Sequence, residues 1–249
     1  DKTNRNVFIS TFAEIQFPID GLSFRTNFGY NYRNNFVGSY YGRNTLSGKK
    51  VNGSASIENI HYYDYTWENL LKYNKTFGLH KIDATALFSM QETTKKEAKE
   101  SGESFVNDDS EYHNMAGAEK NKEITSKLET AMLSYMLRLN YSYANKYLLT
   151  LTGRSDGYSA FGANNKYAFF PSVAAAWNIS SEDFMESQSN YMDMLKVRLS
   201  WGSNGNQAIN AYQTLDRLTL TNYIWGDNGT VVNGAFLPTN GVGNPNLKW

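Results

Sequence analysis

Side chains that could perform chemistry are few in this chain and lie far apart along it. His61, His80 and His113 occupy separate segments and lack the spacing of metal ligands. The acidic cluster that begins at Asp108 lacks the spacing of a calcium-binding loop, so we interpret it as a solvated surface segment. Cysteine is absent, and no nucleophile elbow, phosphate-binding loop or metalloprotease motif occurs. The sequence therefore predicts no catalytic residue, no metal site and no cofactor, and it does not indicate an enzyme.

The more informative charged residues alternate with apolar residues. Arg138 stands between Leu137 and Leu139, and Arg154 and Asp156 are spaced by two positions. In an extended strand residues i and i+2 share a face, so polar and apolar side chains should lie on opposite faces. The candidates for the polar faces are Arg25, Arg138, Arg154, Asp156, Arg198 and Asn204. We expect Arg154, Asp156 and Arg198 to form a charged patch.

The elements that must position these residues are β-strands. Two alternating runs, 7–17 and 22–32, flank a turn sequence at 18–21 and predict a long β-hairpin. Each arm has about ten residues, the length of a tilted strand that crosses a bilayer. Similar runs downstream predict about eight strands in all, with the start of a ninth at 247–249.

The connections between these runs alternate between short and long. The short ones fall near 18–21, 75–80, 144–146 and 180–192, and the long ones near 33–56, 93–127, 157–166 and 205–244. We expect the charged segment 93–127 to hold one or two solvated helical turns. In an up-and-down meander all short turns share one rim, as they do in outer-membrane barrels. The pattern predicts an all-β, antiparallel up-and-down transmembrane β-barrel segment, with the turn at 18–21 on the periplasmic side.

In such a barrel the apolar faces meet lipid and the polar faces line the lumen. An arginine on the lipid face at mid-bilayer would cost ~2–4 kcal/mol, so the charged candidates should point inward. The lipid-facing candidates are Leu22, Phe24, Phe28, Leu137, Leu139, Leu149, Leu151, Val197 and Leu199. Tyrosine and tryptophan at the ends of the apolar faces fit the aromatic girdles of such barrels.

The amino-acid composition limits the kinds of partner and of secondary structure that we expect. The net charge is zero, so no basic field exists to gather nucleic acid, and we expect none as a partner. Aromatic residues make up 15% of the chain and charged residues only 19%, which favours strands over helices. No apolar run approaches the roughly 18 residues of a transmembrane helix.

Several sequence blocks stand in a distinctive order. They are YLLTLTGRSDG at 147–157, FG at 161–162, FPSVAAAW at 170–177, LKVRLSWG at 195–202, NGNQ at 204–207 and GNPNLKW at 243–249, with WEN at 67–69 and NKTFG at 74–78 upstream. Together they resemble the barrel of SusC/RagA-type TonB-dependent outer-membrane transporters. The resemblance is strongest over 145–249 and looser over 1–92.

That resemblance implies a barrel of about 22 strands with an N-terminal plug, in the bacterial outer membrane. It also implies energy supplied by TonB, and a SusD-like surface lipoprotein that acts as a lid and delivers glycans or peptides. No TonB box, plug sequence or C-terminal strand of that pattern occurs within 1–249. We therefore expect 1–249 to be a partial TonB-dependent receptor β-barrel domain, an internal piece of the wall. Its polar residues would hydrogen-bond the plug and one another more readily than they would bind substrate.

Two alternatives remain open at this point. A soluble β-sandwich or lectin-like binding module would bury the apolar faces in one core and leave the polar faces outside. An outer-membrane β-barrel enzyme would need a carboxylate, histidine or serine group at one rim, and the sequence offers none. The substrate is not encoded in any motif of the chain.

Overall fold

β-Strands make up almost all of the regular structure. The computed structural model describes residues 1–188, 192–225 and 227–249, and no helix in these ranges has the length and hydrophobicity to cross a bilayer. The strands are β1 (Lys2–Gln16), β2 (Leu22–Tyr41), β3 (Ser54–Phe77), β4 (His80–Phe105), β5 (Ala118–Tyr143), β6 (Tyr147–Tyr158), β7 (Tyr167–Asn178), β8 (Lys196–Gly202), β9 (Thr219–Trp225) and β10 (Thr230–Phe236). Short 3-10 turns occupy Gly48–Val51, Glu111–His113, Met115–Gly117, Ile179–Ser181, Asp183–Gln188 and Thr239–Gly241.

Strands β1 to β8 form one sheet in which neighbours along the chain are also neighbours in space. The pairing is antiparallel from β5 to β8, with Tyr143 opposite Tyr147 and Tyr147 opposite Trp177. Strands β9 and β10 form a separate antiparallel hairpin. The predicted all-β antiparallel meander is confirmed.

The short turns follow from local backbone chemistry. At the first turn, Gly21 has a φ of +84°, and a Cβ there would collide with the carbonyl oxygen of Asn74. Glycine is therefore required both for the left-handed backbone and for the close approach. Between β5 and β6, Ala144 and Asn145 both have positive φ, as the two central residues of a primed β-turn require, and the N–H of Lys146 donates to the carbonyl of Tyr143 at 2.9 Å.

Three strands are much longer than the sequence pattern indicated. Strands β3, β4 and β5 have 24, 26 and 26 residues. The segment 93–127 holds two short helical turns, as expected, but the ends of β4 and β5 make up most of it. The extension of these strands was missed because polar residues occupy both faces there, which removes the period-2 signal.

The long connection at 205–244 also holds structure that the sequence did not reveal. It contains the hairpin of β9 and β10. Residues 247–249, expected as the start of a ninth strand, have no strand assignment, and Trp249 packs against Phe161 and Phe170. Part of the short connection at 180–192 lies outside the described residues.

The contacts divide the chain into two compact units. The first comprises Asp1–Phe12, Asn27–Trp67 and Gln91–Thr130, and the second Ala13–Thr26, Glu68–Met90 and Ala131–Trp249. The first unit has a core of the conventional kind. In it Phe105 and Tyr112 are buried with Ala55 and Ala118, and Phe36 packs against them.

The second unit has strands with the opposite burial pattern. Along β6, Leu149 and Leu151 are exposed while Thr150 and Thr152 are partly buried, and Asp156 is buried. Along β7, Val173 and the other odd-numbered members are mostly more exposed than their even-numbered neighbours. The apolar faces of these strands therefore face outward, and the polar faces are the covered ones.

Candidate functional site

The most enclosed charged group on the polar faces is the pair formed by Arg154 and Asp156. The Nε of Arg154 lies 2.8 Å from both carboxylate oxygens of Asp156, and its Nη2 donates to Ser134 Oγ at 3.1 Å. Ser134 lies directly opposite Asp156 in the register of β5 and β6. Ser134 is 1% exposed and Asp156 is 8% exposed. The strand register thus fixes a charge-assisted network on the polar face of the second unit.

A second chain of hydrogen bonds crosses four strands of the same unit. The amide of Asn74 on β3 donates to Asp83 on β4 at 3.1 Å, and the amide of Asn140 on β5 donates to the other oxygen of Asp83 at 3.2 Å. Thr150 on β6 then donates to Asn140 at 2.9 Å. One carboxylate therefore organises polar side chains across β3 to β6.

Three further polar candidates, Arg138, Arg25 and Asn204, do not belong to either of these networks in the part of the chain that the structure describes. Arg138 lies opposite Thr152 and donates to its hydroxyl at 3.4 Å, and Arg25 forms an ion pair with Glu14 at 3.5 Å. Asn204 follows β8 in irregular structure and is exposed.

The charged patch expected of Arg154, Asp156 and Arg198 does not form. Arg198 lies opposite Ala176, and Ala176 lies opposite Leu148 on β6. Arg154 is six positions farther along β6, roughly 20 Å away at the rise of a strand. The expectation was wrong because alternation fixes the face of a residue but not its height on the sheet.

The apolar candidates lie on the opposite, exposed faces. Leu139 pairs with Leu151, and Leu151 with Val173. The exposed candidates are Phe28, Leu137, Leu139, Leu149, Leu151, Val197 and Leu199, whereas Leu22 and Phe24 are partly buried. Leu137 is 69% exposed, which is unusual for a leucine within a strand of a central sheet.

The sequence blocks with the strongest resemblance converge in space. Phe161, which is 1% exposed, packs against Tyr158 and Trp249, and Trp249 also packs edge-on against Phe170. The indole of Trp249 donates to the carbonyl of Lys166 at 2.8 Å. These contacts join the loop after β6 to strand β7 and to the segment that ends at residue 249. Distant blocks of sequence therefore serve one aromatic cluster.

The turn end of β6 and β7 carries a second aromatic group with a polar centre. Trp177 and Tyr147 both donate to Glu182 Oε1, at 2.9 and 2.7 Å, and Lys146 lies 3.0 Å from Oε2. These hydrogen bonds, that of Trp177 foremost, lower the pKa of Glu182. Hydrogen bonds from Lys146 to Asp183 and to Glu182 raise the pKa of Lys146 to about 12. This arrangement fits an aromatic girdle with anchored polar tips.

The acidic cluster of the first unit lies at the surface, as expected, and one of its carboxylates, that of Asp108, is held by hydrogen bonds. Tyr40 donates to Asp108 Oδ1 at 2.6 Å, and the backbone and side chain of Arg43 donate to the same oxygen at 3.2 Å. Burial and this hydrogen bond raise the pKa of Tyr40 to about 12. Among the described residues, no group of three or more histidine, aspartate or glutamate side chains could hold a metal ion. The partners of Asp108 lie 65 and 68 positions earlier in the sequence, so no local pattern indicated these hydrogen bonds.

Comparison with known proteins places these features in a family context. No protein-family model matches the chain. The chain is 39% identical over its whole length to TonB-dependent receptor P3 of Formosa agariphila and covers 24% of that protein. It is 33% identical to TonB-dependent receptor P26 of the same organism, with 93% of the chain and 26% of the relative covered. It is also 31% identical over 147 residues to TonB-dependent receptor SusC of Bacteroides thetaiotaomicron, with 59% of the chain and 14% of the relative covered.

Solved structures agree on the fold. The whole chain superposes on 27% of a chain in the structure of the RagAB peptide transporter, with a TM-score of 0.83 and 22% sequence identity. A structure of the RagAB peptide importer in its open-open state gives a TM-score of 0.82 at 23% identity. The chain spans about a quarter of the length of the curated relatives that it matches over most of its own length.

Proposed function

Because this chain is a stretch of a SusC/RagA-type TonB-dependent receptor, we propose that it forms part of the wall of a transporter in the bacterial outer membrane. The transporter would import glycans or peptides with a SusD-like lipoprotein as its lid. TonB would supply the energy through a part of the protein outside these residues. Residues 1–249 would be a partial barrel domain, with the plug and the C-terminal strands contributed by the rest of the receptor.

The inverted burial of β6 and β7 is the observation that carries this proposal. A soluble β-sandwich would cover Leu151 and expose Asp156, whereas the opposite arrangement is found. Exposed apolar faces suit contact with lipid, and covered polar faces suit a wet lumen. On this basis we propose that the apolar candidates named above face lipid and that the polar candidates face the lumen. An enzyme of the barrel class is less well supported, because the described residues bring no catalytic grouping together.

Cysteine accessibility in the full-length receptor tests the membrane orientation. We expect Arg138→Cys to react readily with a water-soluble maleimide in liposomes, and Leu137→Cys to react at least tenfold more slowly. Leu151→Cys and Thr152→Cys provide a matched pair on the neighbouring strand. Equal reactivity of Leu137→Cys and Arg138→Cys would show that the apolar face does not meet lipid.

Uptake measurements test the transport activity itself. Cells that express the full-length receptor with its partner lipoprotein should accumulate labelled glycans or peptides, and a protonophore should abolish the accumulation. Uptake that persists at the same rate with the protonophore present would contradict an energised transporter.

A further inference from the structure

A polar groove in the first unit carries an excess of lysine. It encloses about 540 Å³, and its lining includes Lys99, Lys120 and Lys122 with one acidic side chain, Glu103. Lys99 and Glu103 lie on β4, and the other two lysines lie on β5. On each strand these residues are separated by an even number of positions, so each set shares one face. Three lysines and one glutamate therefore line the groove.

None of these three lysines forms an ion pair within the described part of the chain, whereas four other cations of the unit do. The neighbouring pairs are Arg33 with Asp64 at 3.2 Å, Arg43 with Asp108 at 3.2 Å, Lys95 with Glu97 at 2.7 Å and Lys127 with Glu129 at 2.7 Å. Lys120 and Lys122 stand about 7 Å apart on one strand face, where like charges repel each other. Three cations with one carboxylate among them give the groove a local positive field, which favours an anion.

The rest of the lining indicates the kind of anion. Ser54, Ser56 and Tyr41 also line the groove. The hydroxyl of Ser101 donates to the carbonyl of Lys122 at 3.4 Å, which ties the two lysine-bearing strands together. Serine hydroxyls both donate and accept hydrogen bonds, as the hydroxyls of a sugar do, and ammonium groups bind carboxylate or sulfate.

We propose that this groove binds the carboxylate or sulfate groups of an acidic saccharide. The proposal rests on the transport function proposed above and names the substrate class that the receptor takes. The lysines supply the charge recognition, and the serine hydroxyls and Tyr41 supply contacts to the sugar rings. Glu103 opposes the binding of an anion and so limits its affinity.

Binding by the full-length receptor in complex with its lipoprotein tests the proposal. The probes are a short oligogalacturonate, a neutral maltooligosaccharide of equal length and an oligoglutamate peptide of equal charge. The triple variant Lys99→Gln, Lys120→Gln, Lys122→Gln should bind oligogalacturonate roughly tenfold or more weakly than the unmodified receptor. The affinity of the unmodified receptor should fall as salt is raised.

Two further variants separate charge recognition from misfolding. Lys49→Gln combined with Lys50→Gln removes two exposed cations of the same unit that do not line the groove, and it should leave the affinity unchanged. Glu103→Gln should tighten oligogalacturonate binding two- to fivefold, a gain that a folding defect does not produce. Loss of affinity in the double variant equal to that in the triple variant would overturn the assignment to this groove.

Other outcomes decide the ligand class. Binding of the oligoglutamate peptide as tight as that of oligogalacturonate, or a preference for the neutral sugar, would overturn the acidic saccharide. If uptake is abolished by a protonophore but the triple variant binds oligogalacturonate normally, the transport proposal stands and the groove proposal fails. If the groove binds oligogalacturonate but no uptake responds to the protonophore, the transport proposal fails instead.

Discussion

The packed loop core of the first unit and the strand faces of the second unit bury opposite kinds of side chain. In the first unit, Phe105 and Tyr112 are buried and Asp108 lies at the surface of the packed loop. In the strands of the second unit, Asp156 is buried and Leu151 is exposed. Strands with alternating polar and apolar residues thus occur in two different surroundings. The loop core of the first unit is packed as a protein is in water, and the strand faces of the second suit an apolar solvent.

This difference teaches that alternation alone does not say which face is covered. A period-2 pattern gives the same sequence signal whether the apolar face meets a core or lipid. The two units should therefore respond differently to the same change of polarity, and each substitution below acts on one of them.

The largest effect is expected where a charge is placed on the exposed apolar face. In the full-length receptor, Leu151→Arg should lower the free energy of unfolding from lipid vesicles by about 2–4 kcal/mol, because the guanidinium would face hydrocarbon. Denaturant titration of the barrel, followed by tryptophan fluorescence, measures this loss.

The neighbouring position on the polar face supplies the control. Thr152→Arg adds the same side chain one residue later, on the face that carries Arg138, and should cost less than 1 kcal/mol on the order-of-magnitude scale of surface substitutions. Similar losses for both variants would mean that the two faces of β6 do not differ in polarity.

A smaller loss is expected from opening the network around Asp156. Asp156→Ala removes both carboxylate acceptors of Arg154 and leaves its guanidinium with only Ser134 among the partners described here. We expect the free energy of unfolding to fall by about 1–3 kcal/mol. The loss should lie at the lower end of this range because the side chain of Arg154 is 37% exposed. Arg154→Met combined with Asp156→Leu should cost less than Asp156→Ala, since no charge is left unpaired. If the double variant were less stable than Asp156→Ala, an unpaired charge on Arg154 would not explain the loss of stability.

The sequence predicted the fold better than the site. Alternation located the short turns and the cores of eight strands, because a half-covered strand repeats its polarity every two residues. It underestimated β4 and β5 beyond residue 93, where Lys99 and Lys120 belong to strands that are polar on both faces. In that region a regular register continues without any hydrophobic signal.

The contacts of the candidate site depend on how distant strands and loops pair, and a local sequence pattern does not show this pairing. The pair of Arg154 with Asp156 is visible as an i, i+2 spacing, but its bond to Ser134 requires the register of β5 against β6. The contact of Trp249 with Phe161 joins residues 88 positions apart. The blocks that carried the resemblance were the only sequence signal that these residues belong together.

The smallest effect is the pH dependence of the loop around Asp108 in the first unit. Hydrogen bonds from Tyr40 and from Arg43 lower the pKa of Asp108 below its usual 3.8. Burial and the hydrogen bond to Asp108 raise the pKa of Tyr40 from 10.0 to about 12. A lowered carboxyl pKa stabilises the folded loop above pH 3.8, and that contribution is lost as the pH falls through the lower folded value. The raised pKa of the Tyr40 phenol stabilises the folded loop below pH 10, and that contribution is lost as the pH rises towards 12.

Hydrogen exchange of residues 106–117, corrected for intrinsic rates at each pH, measures both limits in the full-length receptor. Protection should be level between about pH 5 and 9 and decline outside the window that these two groups set. Tyr40→Phe should remove the alkaline decline and move the acid decline to higher pH, because it deletes the largest contribution to the lowered pKa of Asp108. Residues 147–158, whose strand faces are ordered by lipid and by register rather than by this pair, should keep their protection in the same variant. Equal loss of protection in both segments would place the effect in global unfolding instead of in the loop.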